Sequence, residues 1–172
     1  MTCEEAVMVS QQGDVALLEH PVAQELLQSA LPARLAYVRS DGAPDVVPIG
    51  FHWNGNEFVL GTFPDSVKMH ALHDGDKVAL SIDSDTMPYK VLRIRGRVRT
   101  DVVVGVAPEY EAMSRRTFGD EAGAGWVEQL RPITPKMARI FVTPEWVCVQ
   151  DFETRFPNEL ERAMEGSTGG HH

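Results

Sequence analysis

Trp53-Asn54-Gly55-Asn56-Glu57-Phe58-Val59-Leu60-Gly61-Thr62-Phe63-Pro64-Asp65-Ser66-Val67-Lys68 is the stretch whose reading decides the fold. Asn54-Gly55 suits a type I′ turn, whose two central residues need positive φ, so it joins two antiparallel strands. The second strand runs from Glu57 to Thr62. A short helix of small and polar residues is expected at about 65–73, then a strand at about 77–83 built on Val78-Ala79-Leu80-Ser81-Ile82. A strand end with hydroxyls, feeding a helix start with a lysine, is chemistry suited to a phosphate. Free N–H groups at a helix start attract an anion. Thr62 and Ser66 can donate hydrogen bonds, and Lys68 adds a full charge. The competing reading is plain helix capping, which Asp65 could also perform.

Upstream of this stretch, Pro21 opens an amphipathic helix through Val22-Ala23-Gln24-Glu25-Leu26-Leu27, ending near Leu31-Pro32. Leu35-Ala36-Tyr37-Val38 reads as a first strand closed by a turn at Ser40-Asp41-Gly42, and Val46 through Trp53 as a second. Pro48 inside that second strand removes a backbone donor, so an edge position, a bulge or a nearby ligand is expected. Downstream, a long strand is expected at about 89–101 and two helices at about 107–118 and 120–130. A last pair of strands, about 137–143 and 146–151, is separated by Thr143-Pro144-Glu145. No βαβ rhythm is present, which argues against a doubly wound parallel sheet. The expected class is mainly β within α+β: an antiparallel β-barrel with peripheral helices. The division expected is an N-terminal extension over 1–19, the barrel domain over 20–157 and a C-terminal tail over 158–172.

At 172 residues the chain is long enough for one domain with its own core. A formal charge of −9 argues against nucleic acid or an anionic membrane as a partner. No apolar run approaches the roughly 20 residues that span a bilayer. Glu4 and Glu5 stand where a secretory signal would be basic, and Cys3 and Cys148 lack framework spacing. Reduced thiols in a cytoplasmic protein are therefore expected. Gly166 to His172 shows no periodicity.

Alternation along Lys90 to Arg99 places Arg93, Arg95, Arg97 and Arg99 on one face, with Leu92, Ile94 and Val98 on the other. In an acidic protein these cations need anionic partners. Either Asp and Glu on neighbouring strands answer them, or one or two help to hold a phosphate or a subunit interface. His70 and His73, three apart, have no carboxylate or cysteine nearby to complete a metal set, so no metal is expected. His52 reads as packing, interface or the lining of a site. No Ser-His-Asp order, Walker loop or zinc signature is present, and no catalytic acid or base stands out. That pattern favours chemistry done by a bound cofactor.

Several further segments together resemble the pyridoxamine 5′-phosphate oxidase-like superfamily of flavin-binding split barrels. They are Ala33-Arg34-Leu35-Ala36 with Asp41-Gly42, Val46-Val47-Pro48-Ile49, Gly61-Thr62 followed by Ser66-Val67-Lys68, and Asp76 to Ile82. Ile94-Arg95-Gly96-Arg97-Val98 and the run from Met137 through Pro144-Glu145-Trp146 to Pro157 continue the series. The resemblance covers about Leu31 to Phe156. It implies a homodimer that holds FMN, or alternatively the deazaflavin coenzyme F-420, in a groove between subunits. It also implies that Thr62, Ser66 and Lys68 contact the cofactor phosphate, while Val47, Pro48 and Ile49 run beside the ring. Val67 stands where members often carry a second basic residue, and Asp45 lies near a position that is basic in the oxidases proper.

The function this resemblance implies is hydride transfer between the flavin and a small unsaturated organic substrate. Phe51, Trp53, Trp126 and Trp146 are candidate walls of the pocket. The alternatives are a flavin or haem binding or storage protein on the same fold, and a cofactor-free interaction domain.

Overall fold

The computed structural model describes Thr2 and residues 10–168. Seven strands form one sheet, antiparallel throughout: β1 Ala33–Val38, β2 Pro44–Ile49, β3 His52–Trp53, β4 Phe58–Thr62, β5 Lys77–Asp83, β6 Val91–Val104 and β7 Lys136–Gln150. Five α-helices accompany them: α1 Pro21–Gln28, α2 Val67–Ala71, α3 Pro108–Phe118, α4 Asp120–Leu130 and α5 Asn158–Thr168. The strand order is β2-β1-β5-β6-β7-β4-β3. Both edge strands are therefore consecutive in the chain, with only Gly50 and Phe51 between them. Three residue steps span about 10 Å at most. The two edges are thereby held near each other at that link without pairing, which leaves the barrel split.

Alternation then fills the barrel. Leu35, Leu80, Ile94 and Val147 share one inward row across β1, β5, β6 and β7, and all are buried. Phe51 and Phe58 are fully buried beside them with ring centroids 5.9 Å apart. These rings alone remove on the order of 300 Å² of apolar surface from water, worth roughly 7 kcal/mol before entropy is counted.

The expected second strand, Val46 to Trp53, is broken here at Gly50-Phe51. Phe51 turns into the core, and the chain passes from one sheet edge to the other. Pro48 sits on an edge strand, where a missing donor is tolerated. The expected pair of strands at the end is one continuous β7. Thr143 pairs with Arg97, Pro144 with Gly96 and Trp146 with Arg95, which leaves Glu145 as the extra residue of a bulge. The bulge accommodates Pro144 without ending the strand. Gly96 is required opposite it, since a Cβ there would strike the backbone carbonyl of Thr143.

Helix α1 ends at Gln28, earlier than expected, where Ser29 turns its N–H and hydroxyl onto the Leu26 carbonyl. Residues 158–168 of the expected tail form α5. Cys148 is a free, buried thiol, whereas Cys3 lies outside the described residues. No helix among the described residues is long and apolar enough to cross a membrane.

Candidate functional site

The site begins at the seam where the barrel is split. His52 pairs with Val59 and Trp53 with Phe58. Continuing that register would place Phe51 opposite Leu60, Gly50 opposite Gly61 and Ile49 opposite Thr62. The ladder stops at His52 instead, because β2 has left to pair with β1. Helix α3 lies over this seam. A Cβ on Gly50 would come within 2.5 Å of the Met113 sulfur, and one on Gly61 within 2.7 Å of the Tyr110 ring. Both glycines are required by the approach of the helix.

Beyond the seam, β4 ends at Thr62, and the chain turns through Phe63-Pro64-Asp65 into α2. Ser66 occupies the N-cap position of α2, yet its side chain makes no capping hydrogen bond, and Asp65 makes none either. Instead the Thr62 hydroxyl donates to the Ser66 oxygen at 3.3 Å. Among the described residues, these two hydroxyls meet each other and leave the remaining hydrogen-bonding capacity of both open. Lys68 is half-buried and forms no ion pair with a described carboxylate. Burial pushes its ammonium below the usual lysine range. A half-buried cation without a counter-charge is costly unless an anion joins it. The helix has only five residues, so Lys68, rather than a helix dipole, is the source of attraction.

Val47 and Ile49 point inward along β2, level with Leu35 and Ala33 of β1, while Pro48 faces outward and is exposed. Among the described residues no strand covers the far edge of β2, which leaves backbone groups open on that flank. Thr62 and Ser66 meet at the end of β4, with Lys68 following in α2, and Val47, Pro48 and Ile49 lie in sequence along β2, a strand that pairs with β1 and not with β4. A phosphate at the hydroxyl pair and a ring along β2 are compatible with this donor set.

The candidate walls divide. Phe51 is fully buried in the core and cannot line a pocket. Trp53 packs on Phe58 at 4.7 Å and remains half-exposed. Trp126 donates from Nε1 to the Tyr110 hydroxyl at 3.1 Å on the α3–α4 surface. Trp146 lies far along β7, on the outer face of the sheet. His70 and His73 are exposed, and His73 lies 3.6 Å from Asp76. Among the described residues there is no cluster of three metal-ligating side chains.

Two features beside the seam were not apparent from sequence spacing. Arg116 of α3 donates to the Ser29 carbonyl at 2.9 Å and the Phe51 carbonyl at 2.6 Å, with its guanidinium 4.3 Å from the Phe51 ring centroid. It pins α3 to α1 and to the barrel edge. His52 shares a groove of about 370 Å³ with Arg116 and Trp53. Burial, followed by the Arg116 charge, lowers the His52 pKa against the opposing pull of Glu109, so the imidazole is neutral at pH 7. Arg139 of β7, opposite Gly61, donates to Asp101 at 2.6 and 2.8 Å and to Glu109 of α3 at 2.9 Å. Only the sheet register shows that Asp101 and Arg139 meet.

An antiparallel barrel whose two edge strands follow one another in the chain without pairing, beside a covering helix, defines the split-barrel class. The sequence profile described as pyridoxamine 5′-phosphate oxidase matches residues 20–150, and the chain belongs to that family. Among solved structures, an F-420 reductase is similar at 25% identity and TM-score 0.55, over 73% of this chain and 94% of its own. A conserved hypothetical protein of Mycobacterium tuberculosis is similar at 18% identity and TM-score 0.61, over 87% and 95%. An FAD and heme binding protein of Mycobacterium smegmatis is similar at 20% identity and TM-score 0.54, over 85% and 78%. The last two likenesses carry the fold alone. Among curated proteins none matches the chain.

Proposed function

We propose that the chain is a flavin-dependent oxidoreductase that binds FMN, or alternatively the deazaflavin F-420, at the split-barrel seam and acts on a small unsaturated organic substrate. The observation that carries this reading is Lys68, half-buried and without a carboxylate among the described residues, two positions on from Ser66 of a hydroxyl pair that caps no helix. Family membership and the likeness to an F-420 reductase support a flavin-type ligand. Thr62, Ser66 and Lys68 would bind the phosphate, and the open flank of β2 at Val47, Pro48 and Ile49 would offer backbone groups to the polar edge of the ring. The bound flavin would supply hydride transfer. The chain's own part is to tether, orient and shield.

The partner at this site is a second copy of the same chain. Phe63 and Val67, on either side of Ser66, are 52% and 60% exposed, and covering them would close the groove against water. Titration of the apo-protein with FMN and with F-420 is the direct test. Lys68→Ala is expected to weaken the preferred cofactor by about 1.5–3 kcal/mol, roughly 10- to 150-fold. No binding of either cofactor, or unchanged affinity in that variant, would remove the reading. A second reading, a flavin or haem carrier without turnover, is supported by the fold of the FAD and heme binding protein. Turnover of NAD(P)H or reduced deazaflavin with a panel of acceptors separates the two.

A further inference from the structure

Three elements meet at the groove that holds His52 and Arg116. Leu27 and Gln28 come from α1, His52 and Trp53 from β3, and Ala112 and Arg116 from α3. Leu27 is buried beside Ala112, whereas Gln28, at the end of α1, is exposed. None of the six residues assigned to the cofactor lines this groove.

Arg116 brings a charge here that no described carboxylate neutralises. Its Nε and one Nη donate to the Ser29 and Phe51 carbonyls, which carry no net charge. The other Nη makes no hydrogen bond with a described residue. Every carboxylate on the two flanking helices is engaged elsewhere. Glu25 of α1 meets Lys90 at 2.6 Å, and Glu109 of α3 meets Arg139 at 2.9 Å. Glu111 of α3 meets Arg115 and Arg131 at 3.0 and 3.3 Å. A half-buried cation in this setting gains from an added anion.

The groups around Arg116 are donors as well. Neither the His52 imidazole nor the Trp53 indole N–H meets a hydrogen-bond partner among the described residues, although both side chains are only half-exposed. The Gln28 amide at the rim can supply a further N–H. One guanidinium beside a neutral imidazole matches a single negative charge. A dianion would leave half of its charge unanswered.

We propose that this groove binds a small monocarboxylate with a short apolar body, the carboxylate held by Arg116 and His52 and the body laid on Leu27 and Ala112. Guanidinium N–H groups fit carboxylate oxygens, and such a bond is stronger in a half-buried groove than on open surface. A volume of about 370 Å³ takes a ligand of this size. Binding here needs no flavin.

Titration of the intact chain with sodium hexanoate at neutral pH, followed at the His52 ring-proton resonance assigned through His52→Gln, tests it. A saturable shift with a dissociation constant on the order of 1 mM is expected. Saturation should also raise the pH at which His52 titrates, because a negative charge then adjoins it. Hexanamide, without the charge, and acetate, without the chain, should each bind at least about tenfold more weakly. Gln28→Glu puts a rival carboxylate at the exposed rim and should weaken hexanoate about tenfold, whereas Gln28→Lys should tighten it. Ala112→Leu fills the floor with Arg116 left in place and should weaken it by a similar factor. Lys68→Ala should leave it unchanged, so loss of this ligand is separable from loss of the cofactor. A shift that stays linear in hexanoate, equal binding of hexanamide, the same response to both Gln28 variants, or loss of binding in Lys68→Ala would overturn the proposal. So would a dimer that hexanoate dissociates, since a second copy would then fill the groove.

Discussion

Gly50, on the link between β2 and β3, and Gly61 of β4 both lie beneath α3, which closes on them through Met113 and Tyr110. Helix, seam and candidate phosphate site are thereby mechanically joined. Gly61→Ala should cost about 1–3 kcal/mol, because the ring of Tyr110 must move out of a packed layer. Tyr110→Ala in the same chain should recover part of it. Thermal melts of the two single variants and the double variant measure the coupling.

The hydroxyl pair yields an ordered series. Ser66→Ala removes a group that caps nothing, so the α2 turn should survive with stability within about 0.5 kcal/mol. Cofactor affinity should nevertheless fall, by about 1 kcal/mol for each hydroxyl lost in Ser66→Ala and Thr62→Val. Isothermal titration beside a denaturation curve separates these effects. A large stability loss with unchanged affinity would make the pair structural.

Closure by a second copy is checked by mass in solution. Val67→Glu places a charge on an exposed apolar position beside the site and should shift a dimer toward monomer while leaving the barrel folded. Sedimentation equilibrium with and without cofactor reads the outcome. A wild-type chain that is monomeric in both states would remove this part of the reading.

Acid stability should depend on Asp151. Burial alone would raise its pKa, but the Thr154 hydroxyl and the N–H groups of Glu153, Arg155 and Thr154 outweigh that and lower it to about 2. A carboxylate with a depressed folded pKa stabilises above its unfolded value, near 3.9, and loses that contribution as pH falls toward 2. About 2 kcal/mol should disappear over this window, and Asp151→Asn should show most of the loss already at pH 7. Denaturant titrations at several pH values check both statements.

Arg139 links three elements, β6, β7 and α3. It is 18% exposed at the side chain, and its removal would strand Asp101 and a Glu109 whose second carboxylate oxygen is already buried without a partner among the described residues. Arg139→Ala should cost about 3 kcal/mol or more. Replacing both carboxylates by amides in that variant should recover part of the loss, as measured by denaturation midpoint.

Local chemistry was legible in the sequence, and long-range turns of the chain were not. Asn54-Gly55 announced its hairpin but not its turn type. Gly55 alone of the two takes positive φ, and the Asn54 side chain instead accepts from the Asn56 and Glu57 N–H groups across a four-residue loop. Apolar spacing placed α3 and α4 within a residue of their observed bounds. The period-two face of β6 was readable for the same reason. The break at Gly50-Phe51 depends on Phe51 entering a core assembled from distant strands, which no neighbouring residue signals. Pro144 reads as a strand breaker until its opposite number is known to be Gly96, where a bulge absorbs it. Helix α5 was masked by the glycine- and histidine-rich end that follows it. At the candidate site, spacing put Thr62 and Ser66 within reach of each other. That Ser66 caps nothing and that Lys68 meets no carboxylate among the described residues are tertiary facts. Arg116 and Arg139 acquire their roles only from chain segments tens of residues away.

From Thr143 onward β7 has β6 on one side only, and the chain near the N-terminus finishes the other side. Gly13 donates to the Val147 carbonyl at 2.7 Å, and the Gln12 amide imitates a strand neighbour by bonding both the N–H and the carbonyl of Val149. Among the described residues, a flank that would otherwise recruit any extended peptide is thus masked by the Gln12 side chain, the Gly13 N–H and the Arg155 guanidinium, which also donates to the Val149 carbonyl at 3.4 Å. Trimming the chain past Gln12 should turn a well-behaved solute into one that sticks to itself, without disturbing a single residue of the barrel interior.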